Sequence, residues 1–228
     1  TANCGPFTIP ALSSARPVLS NPGGTSVEIN GQGGATVANL AITGSGIGIA
    51  AAGNLTSPIT GAPTLIDNTL VLGNGTSATQ RGVYLSAPTG DINFTDTAIG
   101  QTTAGAFRVD GGNANITYQG LIANNINGNG GVPSTLVDIN NTTGGTINLA
   151  VGGTPAGALQ PNAISDLGGQ GIVIEANAAA TTINMGNVSL TNSINTGILL
   201  KNDNATTSIS SDAGTGIVKT TAGAAIGI

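Results

Sequence analysis

Gly171-Ile172-Val173-Ile174 and, one unit later, Gly197-Ile198-Leu199-Leu200 decide how this chain is read. The same apolar quartet, usually led by glycine, recurs as Gly46-Ile-Gly-Ile, Gly82-Val-Tyr-Leu, Ala106-Phe-Arg-Val, Leu136-Val-Asp-Ile and Gly216-Ile-Val-Lys. A motif that returns at intervals of roughly 20–40 residues marks an architecture in which one unit stacks on the next. Each quartet is too short for a helix and rich in β-branched residues, which suits a strand.

A second apolar segment follows inside each unit: Ile92-Asn-Phe, Ile116-Thr-Tyr, Ile147-Asn-Leu, Ile183-Asn-Met and a weaker one at Ile209. The spacing from quartet lead to second segment is 10, 10, 11, 12 and 12 residues, whereas the remainder of each unit runs 14, 20, 24, 14 and 7. Length variation therefore falls in one sector, as expected when insertions must be expelled from the stack as loops. Between the segments lie Gly, Asn, Asp, Thr and Ser, which supply positive φ and short side-chain bonds at tight bends. The expected fold class is all-β: a parallel β-helix solenoid, right-handed, with about three strands per coil. Residues 1–25, containing Cys4, Pro6, Pro10, Pro17 and Pro22, are expected to be an N-terminal cap or linker. Residues 26–228 are expected to form one β-helix domain whose first coil starts at Val27-Glu-Ile-Asn. The terminal Ala225-Ile-Gly-Ile looks like the first strand of another coil, so the helix is expected to continue or be capped beyond residue 228.

Numbering each lead as zero, positions one and three form an aliphatic inward column from Ile47 and Ile49 to Ile198 and Leu200. Lys219 breaks it, which predicts fraying near the end. Positions two and four face out. On that alignment Arg108 falls beside Asp138 and Glu175 beside Lys201 on adjacent coils, while Val173, Leu199 and Val218 form an outward apolar strip.

Composition narrows function more than it reveals it. Only 7% of residues are charged and 2% aromatic, with 37 glycines, which is unlike an ordinary globular enzyme core. The formal charge of −5 disfavours nucleic acid and anionic membrane surfaces as partners. No apolar run is long enough to insert in a bilayer as a helix. Histidine is absent, which removes histidine-based triads and histidine-ligated metals. A single cysteine, Cys4, permits no internal disulfide. Glycine-rich Gly31–Gly34 lacks the Gly-Lys-Ser/Thr of a phosphate loop and reads as a turn. Asn-x-Ser/Thr matches such as Asn54, Asn115 and Asn204 read as a by-product of composition. Arg108, Asp110 and Asp138, with Tyr84 as a sugar platform, are the one constellation that could bind a cation or work on a polysaccharide. Loop recognition would fall on Asn124–Ser134 and Gly152–Asn162.

The quartets Gly-Ile-Val-Ile and Gly-Ile-Leu-Leu, followed by Asn-Ala-Ala-Ala-Thr-Thr-Ile-Asn-Met and Asn-Asp-Asn-Ala-Thr-Thr-Ser-Ile-Ser, resemble the passenger β-helices of bacterial autotransporters and filamentous-haemagglutinin-like exoproteins. The resemblance covers about residues 26–228 in repeat style and composition. Phe-x-x-Asn repeats and an Asn-Pro-Asn-Leu secretion motif are not found. It implies a non-enzymatic structural module of an extracellular fibre, surface protein or adhesin on a bacterial cell. Its expected partners are copies of itself or the remainder of a longer surface protein, and a host or surface glycan. No catalytic, cofactor-binding or metal-ligating residue is assigned. The alternative is a carbohydrate-binding or polysaccharide-cleaving β-helix of the lyase or tailspike kind.

Overall fold

Every rung of this fold begins with a strand that hydrogen-bonds to its equivalent one unit earlier and one unit later, and the chain winds so that the strands run parallel. The structure, a computed structural model, describes residues 16–72, 81–100, 105–124, 135–149, 163–166, 170–186, 188–193, 196–210, 218–220 and 224–228. Cys4 and the two long loops expected at 124–134 and 152–162 lie outside them, apart from Asn124, which ends a strand.

After β1 (Val18–Leu19), the first coil comprises β2 (Thr25–Asn30), β3 (Thr36–Ala38) and β4 (Ala41–Thr43), and the second β5 (Ile47–Asn54), β6 (Thr64–Asp67) and β7 (Leu70–Leu72). In the next two coils one long strand bends around a corner, giving β8 (Val83–Thr89) with β9 (Asp91–Gly100) and β10 (Gly105–Asp110) with β11 (Asn115–Asn124). There follow β12 (Thr135–Asn140), β13 (Gly145–Leu149) and β14 (Ala163–Asp166), then β15 (Gln170–Glu175), β16 (Thr181–Met185) and β17 (Val188–Ser193). The last are β18 (Ile198–Lys201), β19 (Thr206–Ile209), β20 (Val218–Thr220) and β21 (Ile226–Gly227). The first strands form an eight-stranded wall in the order β2-β5-β8-β10-β12-β15-β18-β21, and the second and third strands form a thirteen-stranded sheet folded into two further walls. All strand pairs are parallel, so the chain is all-β and a parallel β-helix with three strands per coil. Pairing starts at Val18 and β2 at Thr25, inside the segment expected as a cap.

The quartets from Gly82 to Gly197 stack as expected: Val83 pairs with Phe107, Val137 with Ile172, and Ile172 with Ile198. Two alignments require correction. Ile49, not Ile47, stands beside Val83, a shift of two residues that keeps the same side chains inward. The described residues of the Gly216 quartet, Val218 and Lys219, do not lie on the first wall. Val218 pairs with Leu190 on the third wall, and Ile226 stacks on Ile198 instead. Lys219 therefore does not interrupt the inward column, and Val218 does not extend the strip of Val173 and Leu199. In the second segments Thr207 pairs with Ile183, and Ile209 with Met185.

The inward columns are sealed. Val83, Leu85, Val137, Ile139, Ile172 and Ile174 are wholly buried. Burying each such side chain contributes about 1.5–3 kcal/mol. Midway along, the core widens around three aromatics: Phe94 and Phe107 meet edge to face at 5.8 Å, and Tyr118 lies 5.2 Å and 5.7 Å from them. The Tyr118 hydroxyl is satisfied because it donates to the Thr97 carbonyl at 2.8 Å. Burial pushes the Tyr118 phenol well above its ordinary value.

The first corner shows how the coil turns without losing its ladder. One residue at the corner end of each first-wall strand from β2 to β18 adopts a left-handed backbone: Gly31, Gly111, Asn141, Ala176 and Asn202 just after their strands, and Gly53 and Ala87 within the last residues of β5 and β8, with φ from 44° to 77°. Its amide still donates to the next coil, as from Gly111 to Asn140 at 2.8 Å and from Ala176 to Lys201 at 3.1 Å. Glycine and asparagine tolerate this conformation, and alanine is strained there. One coil carries an insertion at this corner. Between β5 and β6 the chain makes an excursion closed by an antiparallel bridge from Thr56 to Pro63, so loops are not confined to one sector.

Two outcomes follow. Ala176→Gly should raise the unfolding free energy by about 0.5–1 kcal/mol, since the left-handed penalty outweighs the entropy of glycine. Gly112→Ala should do the opposite, because a Cβ there would lie 2.1 Å from the Pro88 carbonyl oxygen. Urea midpoints that do not separate in this order would contradict the corner geometry. The second outcome concerns Tyr118. Its folded pKa is raised, so the stability it confers is fully present below the unfolded value of about 10 and declines as pH rises above it. In a Tyr84→Phe variant Tyr118 is the sole tyrosine. Its phenolate absorbance should then appear only together with loss of the β signal in circular dichroism.

Candidate functional site

Three consecutive first-wall strands carry the densest chemistry among the described residues. β8 contributes Tyr84, β10 contributes Arg108 and Asp110, and β12 contributes Asp138 and Asn140, all at outward positions because their neighbours Val83, Leu85, Val109 and Ile139 fill the core. The parallel register places Tyr84 beside Arg108 and Arg108 beside Asp138. Side-chain geometry follows. Arg108 Nη1 lies 3.4 Å from Asp138 Oδ2 and Nη2 lies 3.1 Å from Asp110 Oδ2. Its guanidinium carbon sits 5.9 Å from the Tyr84 ring centroid. The Tyr84 hydroxyl donates to Asp110 Oδ2 at 3.4 Å, and Asn140 Nδ2 donates to Asp138 Oδ1 at 2.9 Å.

A second cation completes the group. Arg81 is almost fully buried, and its side chain crosses Gly105, where a Cβ would lie 2.7 Å from Arg81 Cδ. Burial, and after it the nearby Arg108 charge, lowers the Arg81 pKa, while Asp138 opposes that shift. Two guanidiniums thus balance two carboxylates. The Arg108 side chain is 28% exposed and that of Asp138 13%, so the pair lies in the wall rather than above it.

This arrangement constrains the chemistry. A cation bound by Asp110 and Asp138 would have to displace Arg108 from both, and no group of three or more acidic, histidine or cysteine residues suited to a metal occurs among the described residues. Asp110 Oδ2 and Asp138 Oδ2 are also occupied by the guanidinium rather than open to a substrate. The residues foreseen as converging do converge, and they pair through the two Nη atoms of Arg108, whose buried Nε makes no hydrogen bond. Glu175 and Lys201 behave likewise, meeting at 2.6 Å on adjacent coils. Arg81 stands one residue before its quartet, level with Gly105 and Thr135 of the next units and just outside the positions numbered from the lead. Its only sequence signal is the Gly105 that makes room for it.

Comparison with known proteins adds no outside constraint: no family model, no curated protein sequence and no solved structure matches the chain.

A double-mutant cycle on Arg108→Met and Asp138→Asn should give a coupling of about 0.2–1 kcal/mol that shrinks in high salt. Zero coupling in low salt would mean that the two side chains do not meet in solution.

Proposed function

We propose that this chain is a non-enzymatic structural module of a bacterial extracellular fibre, surface protein or adhesin, working as a stacked column joined to copies of itself or to the rest of a longer surface protein. The observation that carries this reading is the unbroken parallel stacking of the first wall, in which the polar side chains of one coil are engaged by the next. Arg108 reaches Asp138 and Lys201 reaches Glu175 on this wall, and on the second Asn184 donates to Asn148 at 2.8 Å. At the corner between the fifth and sixth coils, buried Asn177 accepts from the Thr142 amide and hydroxyl and donates to the Ile139 carbonyl. Chemistry spent on coil-to-coil contact suits a wall that must hold its shape. The resemblance of the repeat style to that of surface exoproteins favours the extracellular setting.

The carbohydrate-cleaving alternative would place its machinery at Arg108, Asp110 and Asp138, where the three charges are already mutually engaged.

Electron microscopy of the purified chain tests assembly. Rods or fibres that lengthen with concentration are expected, whereas compact monomers at every concentration would contradict the proposal. Release of oligosaccharides from an acidic polymer, dependent on calcium and lost in Asp138→Asn, would replace it with the enzymatic reading.

A further inference from the structure

The second wall differs from the first in chemistry. Its outward positions run in two straight columns across β9, β11, β13, β16 and β19. One column is Asn93, Thr117, Asn148, Asn184 and Ser208, each paired with the next. The other begins at Asp91 beside Asn115, whose Oδ1 accepts from the Thr146 amide, and continues through Thr182 to Thr206. Beyond Asp91 neither column contains an ionisable group, although the first wall carries Arg108, Asp110, Asp138, Glu175 and Lys201 over the same coils. All of these column side chains are exposed or half-buried.

Their hydrogen bonding differs from that of the corner threonines. Threonine hydroxyls at the corners are engaged, as Thr56 is with Asp91, Thr64 with the Leu55 carbonyl, Thr95 with Asp67 and Thr142 with Asn177. The hydroxyls of Thr117, Thr146, Thr182, Thr206 and Ser208 make no hydrogen bond to another described residue. The single bond between Asn184 and Asn148 leaves the Asn184 oxygen and the Asn148 amide hydrogens facing out. Beyond Asp91 the result is an uncharged lattice of donors and acceptors, spaced about 4.8 Å along each column and about 6.6 Å between the two columns.

A ligand that matches such a lattice must itself be linear, periodic and uncharged, and must offer hydroxyls along its length. The geometry points to a neutral polysaccharide chain lying along the solenoid axis, with roughly one sugar unit facing each rung. Threonine methyls meet the C–H faces of the sugars, and the free hydroxyls and amides exchange bonds with sugar hydroxyls. A protein partner would need aromatic or aliphatic anchors that these columns lack, and a nucleic acid would need cations. This rests on the surface-adhesin reading for where such a polymer is met, but not on self-assembly.

Co-sedimentation of the full chain with insoluble neutral polysaccharides, and with an acidic one for comparison, tests it. The wild type and an Arg108→Gln control on the other wall should be retained by at least one neutral polymer, with little effect of salt. Thr146→Val/Thr182→Val/Thr206→Val keeps the β-branched shape, removes three hydroxyls and should weaken retention at least tenfold. Should that variant fail to fold by circular dichroism, Thr182→Lys, a single change at a half-buried outward position, should show the same loss. Retention only by the acidic polymer, equal binding by the folded variants, adsorption to ice crystals but to no polymer, or no retention at all would each overturn the inference. Rods that retain no polymer would leave the fibre proposal standing, and retention by monomers would sink that proposal alone.

Discussion

The backbone ladder between successive coils is the constraint on which everything else in this molecule depends. Because each strand pairs in parallel with its equivalent one unit away, a residue is never alone on the wall. It belongs to a column whose members sit about 4.8 Å apart. Like charges in one column would repel and opposite ones attract, which is why Arg108 follows Tyr84 and precedes Asp138, and why Glu175 precedes Lys201. The same rule governs the backbone. A left-handed residue at the first corner of one coil demands one at the same corner of its neighbour, or the ladder breaks between them.

Much of this was legible because strand side chains alternate with period two. The inward set of the quartets and both interstrand ion pairs could be placed from spacing alone. What alternation cannot do is distinguish a register from one displaced by two residues, and Gly46-Ile-Gly-Ile shows this: Ile47 and Ile49 both fit the pattern, and pairing with Val83 selects Ile49. Nor does a quartet carry a mark of its wall. Gly216-Ile-Val-Lys has the composition of a first-wall strand, yet Val218 lies on the third wall. The left-handed column is half-visible, since Gly53, Gly111, Asn141 and Asn202 announce it and Ala87 and Ala176 conceal it.

The walls have separate characters although one repeat builds them all. The first concentrates charge and spends it internally, so that the Arg108 group is neutral and tied together. The second carries hydroxyls that make no bond to another described residue, beside amides of which Asn115, Asn148 and Asn184 are partly engaged. The core between them is aliphatic except where Phe94, Phe107 and Tyr118 fill the middle coils. Apolar contact sets the cross-section there, and polar contact sets the stacking. Neither alone would specify a single register.

The excursion between β5 and β6 shows how such a column accommodates novelty. Its neck is tied by the Thr56–Pro63 bridge and by the Ser57 amide donating to the Ala62 carbonyl at 2.7 Å, while Ile59 at the tip is 92% exposed. The strands on either side stay paired with their neighbours, β6 in regular register and β5 through a shift between Ala52 and Gly53. A knotted neck of this kind uncouples what lies beyond it from the rungs, so this bend is a natural socket for foreign peptide, where sequence can be exchanged or lengthened while the lattice beneath stays in step.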